Sequence, residues 1–236
     1  TTAGCMATMN AGSLLGVVLA QLVRPGTPVA LPGWNGGPYN LQTMVGNYVL
    51  ADEQGVPTSM GKYYDLPVFG LGGSTDAKVL DHQAGMECTI SLMTALLHGA
   101  NIVHDVGFMD SGLQGSLQLQ VLANETIGFL RTTNRVAAVY EETLALDAID
   151  EVGPTGSFLQ HPHTMRHYKQ PFYSRLFDKG PYSLWEKNGR LTAEDKAARE
   201  IDRILETHSC PPLPAAIQDA ISAIVNREQA WIDGNA

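Results

Sequence analysis

Pro67-Val68-Phe69-Gly70-Leu71-Gly72-Gly73-Ser74-Thr75-Asp76 reads as a short buried strand running into a glycine-rich loop, and residues 78–98 after it carry a helical period. Ile90, Met93, Thr94 and Leu97 follow the i, i+3, i+4, i+7 spacing of a helix that buries one stripe. The same unit recurs on either side. Val29-Ala30-Leu31-Pro32-Gly33 precedes a stretch expected to be helical over 41–64, and Asn101-Ile102-Val103-His104-Asp105 precedes one over 117–139. In the latter, Val121, Leu122, Ile127 and Leu130 fit the period loosely. Short apolar runs alternating with helices imply a parallel sheet covered by helices. A further helix, over 11–23, is stopped by Arg24-Pro25-Gly26, since proline cannot continue a helix and glycine turns freely.

In parallel α/β architectures function sits at the C-terminal ends of the strands. The glycine-rich and polar loops lie there: 33–37, 70–76 and 104–112. A barrel of eight βα units takes about 250 residues, and the last third of this chain follows another pattern, so about half a barrel is visible. The chain starts at Thr1 without methionine, in what reads as the loop after a strand. The expectation is a truncated chain or a second chain that supplies the rest. After Tyr140 come a short helix over 144–149, Gly153-Pro154-Thr155-Gly156, and a loop over 158–182 rich in aromatic residues and histidine. Two charged helices follow, over 192–208 and 214–231. The expected division is 1–140 for the half barrel and 141–236 for a helical, loop-rich extension packed on it.

Of 236 residues, 44% are hydrophobic, enough for a sizeable core. Lys plus Arg is 15 against 24 for Asp plus Glu, a net charge of -9, which speaks against a surface built to neutralise phosphates, so no nucleic-acid partner is expected. Cys5, Cys88 and Cys210 are too few and too widely spaced for a disulfide framework or a CxxC knuckle. No apolar run is read as approaching the ~20 residues of a membrane span, and no secretory pattern opens the chain. A cytoplasmic protein without a membrane partner is therefore expected.

Several groupings could carry chemistry. Gly70 to Ser74 could cradle an anion, but the spacing fits no phosphate-binding motif and Asp76 would repel phosphate; a tight turn is the simpler reading. His161, His163 and His167 form H-x-H-x3-H, yet no Cys or Glu stands at ligand spacing and Pro162 is expected to break helical geometry there, so no metal site is expected. These histidines, with Arg166, could instead face a substrate carboxylate or order the loop. His104-Asp105 ends a strand, where adjacent side chains point to opposite faces unless the loop re-aims one. The pair reads either as a substrate-facing histidine or as a capping aspartate beside a satisfied one. Trp34, Tyr39, Phe108, Phe158 and Phe172 fall in loops, and several aromatic faces around a quaternary ammonium supply ~2 kcal/mol or more when desolvated.

The runs Leu19-Ala20-Gln21-Leu22-Val23-Arg24-Pro25-Gly26, Asp76-Ala77-Lys78-Val79-Leu80-Asp81-His82-Gln83-Ala84-Gly85, Leu144-Ala145-Leu146-Asp147, Glu151-Val152-Gly153-Pro154 and Phe158-Leu159-Gln160-His161-Pro162-His163-Thr164 resemble the trimethylamine methyltransferase family across almost the whole chain. The resemblance implies the C-terminal half of a TIM (β/α)8-type barrel plus C-terminal helices. It also implies a corrinoid-dependent enzyme that moves a methyl group from a methylated amine to the cobalt(I) of a separate, cognate corrinoid protein. The cobalamin is then carried by that partner, and the chain holds no tight cofactor of its own. One branch of the family uses pyrrolysine on trimethylamine. This sequence, which has none, resembles the branch that demethylates quaternary amines such as glycine betaine.

On that reading Trp34, Phe108 and Phe158 line the cation site, His104 and His163 bind a substrate carboxylate, Asp76 positions its loop or faces the ammonium, and the protein is a homo-oligomer. Two other readings stand beside it. One is a noncatalytic ligand-binding or structural subunit of a split barrel. The other is a cobalamin-independent barrel lyase with His104 and Asp76 as base and acid.

Overall fold

The computed structural model describes residues 1–33, 39–47, 49 and 55–234. The chain opens with α1 (Thr2–Val23), followed by strand β1 (Leu31–Pro32), the hairpin strands β2 (Tyr39–Asn40) and β3 (Val45–Gly46), and α2 (Gly55–Tyr63). Then come β4 (Val68–Leu71), α3 (His82–His98), β5 (Ile102–His104), β6 (Phe108–Met109), a 3-10 turn over Asp110–Gly112, β7 (Gln114–Gly115) and α4 (Leu117–Thr133). The remainder is helix and loop: α5 (Glu141–Leu144), α6 (Leu146–Val152), α7 (Pro162–His167), α8 (Tyr182–Lys187), α9 (Ala193–Thr207) and α10 (Ala215–Gly234). The protein is thus mixed α/β, mostly helical, with a short parallel sheet. Two compact units divide it, Thr1–Ile201 and Asp202–Ala236.

β1, β4 and β5 pair in parallel with β4 in the middle. The register sets Leu31 beside Val68, Pro32 beside Phe69, Phe69 beside Ile102, Gly70 beside Val103 and Leu71 beside His104. Side chains alternate along a strand, so Val68 and Val103 share one face, while Pro32, Phe69, Ile102 and His104 share the other. Helices cover the first face. Gly61 of α2 lies so close to Val68 that a Cβ there would fall 2.1 Å from its Cγ2. Val103 packs on a core of Ala84, Cys88 and Leu92 from α3 with Leu119 and Ala123 from α4. The second face stays open among the described residues: Phe69 and Ile102 are 42% and 52% exposed, although Leu71, next along that face, is buried.

The parallel strands β1, β4 and β5 and the helices α3, α4, α9 and α10 overlap the stretches expected for them, whereas β2, β3, β6 and β7 were not expected and α7 and α8 fall in or at the end of the expected loop over 158–182. Asp81 caps α3, accepting at Oδ1 from the N–H groups of Gln83 and Ala84, so the helix starts at His82 and not at 78. Gly99 closes it in the left-handed conformation. Ser116 caps α4, accepting from Leu119 N–H, and the helix ends at Thr133. Of the helix expected over 41–64, the described residues show Gly55–Tyr63, and 41–46 are not helical. Asn40 takes the chain into a turn instead, its Oδ1 accepting from Gln42 N–H and its carbonyl from Met44 N–H, and Tyr39 and Asn40 pair antiparallel with Gly46 and Val45.

The N-terminus also corrects two expectations. Residues 2–10 are helical and not a loop, and the Thr1 Oγ1 accepts from Gly4 N–H in the first turn of α1. This helix is long and apolar enough to cross a membrane by length and composition: an 18-residue window has mean hydropathy 1.5, with 6% of it buried. Its glycines, threonines, serine and asparagine break the apolar run without adding charge, so reading unbroken runs misses it.

Beyond α4, Glu125 ties the later loop to the core, its Oε2 accepting from Ser174 Oγ at 2.7 Å and Arg175 N–H at 3.1 Å. Phe172 lies over Gly128 and meets Phe129 edge to face. Pro162 does not break the helix around it. It occupies the first turn of α7, where a missing N–H goes unneeded, and His161 caps that turn through Nδ1, accepting from His163 N–H. In the unit Asp202–Ala236, α10 runs from Ala215 to Gly234 with its side chains exposed.

Candidate functional site

Two loops leave the C-terminal ends of β4 and β5, and backbone hydrogen bonds lace them together. Gly72 N–H donates to the His104 carbonyl, Gly107 N–H to Gly73, Thr75 N–H to Phe108 and Asp110 N–H to Ala77, all at 2.9–3.1 Å. Gly73 has φ +80°, and a Cβ there would sit 3.1 Å from the Val106 backbone, so the close approach of the loops calls for glycine. The glycine-rich stretch is thereby a tight turn between loops. Glu87, reaching up from α3, accepts at Oε2 from Thr75 Oγ1 at 2.6 Å and Asp76 N–H at 2.7 Å, and at Oε1 from Gln83. Asp76 spans the gap, accepting from Ser111 Oγ at 2.8 Å on one oxygen and from Val49 N–H at 3.1 Å on the other.

His104 stands on the open face of the sheet, partly exposed, with its ring stacked on Phe69 at 4.3 Å between centroids and 11° between planes. Its Nδ1 lies 2.7 Å from Asp105 Oδ1. An ideal strand would send these neighbours to opposite faces. Asp105 instead takes φ 68°, in the left-handed region that aspartate tolerates better than most residues, and this turns its carboxylate back to the ring. Such an arrangement fixes the imidazole's orientation and offers an aromatic platform to a ligand on the open face.

The structure brings Asp76, His104 and Phe108 into these interlaced loops. Phe108 is 40% exposed and paired with Gly115 in the β6–β7 hairpin. Trp34 lies outside the described residues. Phe158 and His163 belong to the later segment, where the Phe158 carbonyl accepts from His161 N–H and His163 Nε2 lies 2.8 Å from the Glu142 carbonyl. One contributor was not foreseen: Phe69 reads only as an apolar strand residue. Glu87 reads from the sequence as a carboxylate stabilised at a helix start, functional only if it reaches over the strand ends. The alternation of β4 places Phe69 on the open face, but pairing it with His104 needs the register.

A second group of polar side chains gathers between α5, α6 and α7, around a cleft of about 850 Å³. His163 and His167, one turn apart on α7, have ring centroids 4.3 Å apart. Glu142 Oε1 is 3.0 Å from His167 Nε2 and accepts from Arg166 Nη2 at 3.2 Å. Hydrogen bonds from His167 first and Arg166 second hold the Glu142 carboxyl below its usual range. His161 Nε2 meets Glu151 at 3.0 Å. The absence of a ligand-spaced Glu beside the H-x-H-x3-H run is thus a property of the linear sequence only. Glu142, His163 and His167 hold donor atoms within 4.8 Å of one another.

The description of trimethylamine methyltransferases, taken as a family model, matches residues 1–232. The chain belongs to the trimethylamine methyltransferase family. This family member is 30% identical over 232 residues to the trimethylamine methyltransferase MttB of Desulfitobacterium hafniense (strain DSM 10664 / DCB-2), covering 97% of the chain and 47% of the relative. It is likewise 30% identical over 231 residues to MttB of Methanosarcina barkeri (strain Fusaro), covering 95% and 46%. With the glycine betaine methyltransferase of Desulfitobacterium hafniense (strain Y51) it shares 31% over 231 residues, covering 94% and 47%. The family member spans about half the length of these curated relatives. Its interlaced strand-end loops all lie inside the matched region.

Proposed function

We propose that the protein is the part of a corrinoid-dependent methyltransferase that binds a quaternary amine such as glycine betaine, and that its open sheet is about half of a (β/α)8 barrel. The observation that carries this reading is the Phe69–His104 platform on the uncovered face of the sheet, within a chain of a methyltransferase family. A sheet with helices on one face and aromatic side chains exposed on the other suits a barrel wall, whose inner face closes only when the remaining strands are present. Names of relatives support both trimethylamine and glycine betaine as substrate classes.

A quaternary ammonium already carries a good leaving group. When its methyl group departs, the C–N electron pair stays on nitrogen and a neutral tertiary amine is released, with no proton needed. A corrinoid cobalt(I) on the partner protein supplies the electron pair that accepts the methyl group. The open, partly exposed platform fits such an external partner, since the ligand must be reachable from outside. This chain's own groups have to hold a cation, aim one methyl outward and keep water away, all tasks of orientation and electrostatics. Phe69, with Phe108, presents π-faces to the ammonium. His104, oriented by Asp105, donates to the substrate carboxylate. Asp76 fixes the loops through Ser111 and Val49.

The test is methyl transfer by the full-length gene product with a panel of quaternary amines, trimethylamine and cobalt(I) cobalamin. Methylcobalamin formed from glycine betaine or another betaine supports the reading. Transfer from trimethylamine alone overturns the substrate class. Binding without transfer favours a noncatalytic subunit, and turnover without cobalamin favours a lyase.

A further inference from the structure

α7 presents His163 and His167 one turn apart on the side that meets the start of α5. Two imidazoles at i, i+4 with a carboxylate from a second helix form a donor set of nitrogen and oxygen that suits a borderline metal ion better than calcium or magnesium. We propose that Glu142, His163 and His167 bind one divalent transition-metal ion of the zinc class, clasping α5 to α7 at the edge of the cleft. The three donors converge within 4.8 Å, and a chelating pair on one short helix costs little further ordering, because Pro162 and the His161 cap already fix its first turn.

The surroundings fit this use. An imidazole bound through Nε2 must carry its proton on Nδ1 and hand it to an acceptor. The Gln170 side chain already hydrogen-bonds His167 Nδ1, and its amide can turn to offer oxygen in place of nitrogen. Three protein donors leave a further coordination position, with the cleft lined by His161 and Glu151 beside it. Two contacts oppose the ion: His163 Nε2 lies 2.8 Å from the Glu142 carbonyl and must leave it or ligate through Nδ1, and the second is Arg166, which shares the Glu142 oxygen. Its side chain is 57% exposed, so it can leave for solvent when a metal takes its place. The opposition yields a distinctive expectation, that removing Arg166 tightens binding.

The experiment uses the full-length protein, stripped of metal and titrated with Co²⁺ and then Zn²⁺. The reading expects one Co²⁺ per chain with a visible absorption band, displaced by Zn²⁺, and a thermal midpoint raised by Zn²⁺. The double variant His163→Ala/His167→Ala should lose binding by at least tenfold. Arg166→Ala should bind several-fold tighter, and Cys210→Ser, which breaks the Cys210–His208 pair 3.8 Å apart, should leave the titration unchanged. Absence of saturable binding overturns the proposal, as does binding that survives the double variant. Should that variant misfold by circular dichroism, His167→Gln takes its place, and an unaltered titration there overturns the proposal equally.

Discussion

Phe69 and His104 lie ring on ring, two positions out of register on neighbouring strands, because β4 and β5 pair Phe69 with Ile102 and Leu71 with His104. Diagonal neighbours on one sheet face are within reach of each other only when both side chains are long or aromatic. The contact therefore depends on both residue types, and it places a flat, partly solvated surface at the strand ends.

If that surface receives the ammonium, Phe69→Leu should lower kcat/KM for a betaine about tenfold, in line with about 1.4 kcal/mol of lost aromatic interaction. Phe69→Tyr should retain most of it. His104→Ala should weaken turnover without unfolding the full-length protein. Steady-state kinetics with circular dichroism read both effects, and wild-type turnover in His104→Ala would remove that ring from the site.

Glu87 accepts from Thr75 and from the Asp76 backbone. Thr75 is fully buried. Glu87→Ala should cost about 2 kcal/mol in urea unfolding, since two donors then lack their acceptor. Glu87→Gln, which keeps one carbonyl oxygen, should cost less. An unchanged midpoint in Glu87→Ala would show that these bonds do not hold the loop.

Burial pushes the Cys88 thiol up to about 11, so little thiolate exists near neutral pH. Cys5 and Cys210 are exposed. Iodoacetamide at pH 7.5 should label those two in the native protein and reach Cys88 only after denaturant, as read by peptide mass spectrometry. Early labelling of Cys88 would contradict its packing between α3 and α4.

The backbone N–H of Gly180 first, and the Lys196 ammonium second, hold the Asp178 carboxyl below its ordinary value of 3.8. A depressed folded value means a contribution that is complete above the unfolded value and drains away as pH falls through the folded one. Asp178→Asn should therefore be less stable than wild type at pH 6, by a margin that shrinks as pH falls below 3.8. The difference should be small and should shrink with added salt, because the pair is partly solvated. Equal stability at pH 6 and low salt would dismiss the contact.

Periodicity and composition alone revealed the alternation of β4, α3, β5 and α4, because both act over a few residues: apolar spacing at Ile90, Met93 and Leu97, and short apolar runs that end in glycine-rich loops. Motif order along the chain revealed the family for the same reason, as it needs no spatial knowledge. The hairpin at Tyr39–Gly46 was hidden because Asn40 competes locally with a helical pattern, and the apolar α1 because its small polar residues interrupt every run.

Convergence across distance was decided only by the tertiary structure. Strand register stacks Phe69 on His104, a left-handed backbone at Asp105 turns its carboxylate to the neighbouring ring, and Glu87 reaches back along α3 to a loop eleven residues earlier. Glu142 meets His167 across 25 residues. Which side chains meet is set by how helices and strands pack, and that packing is a property of the whole assembly of elements, absent from any single stretch of chain.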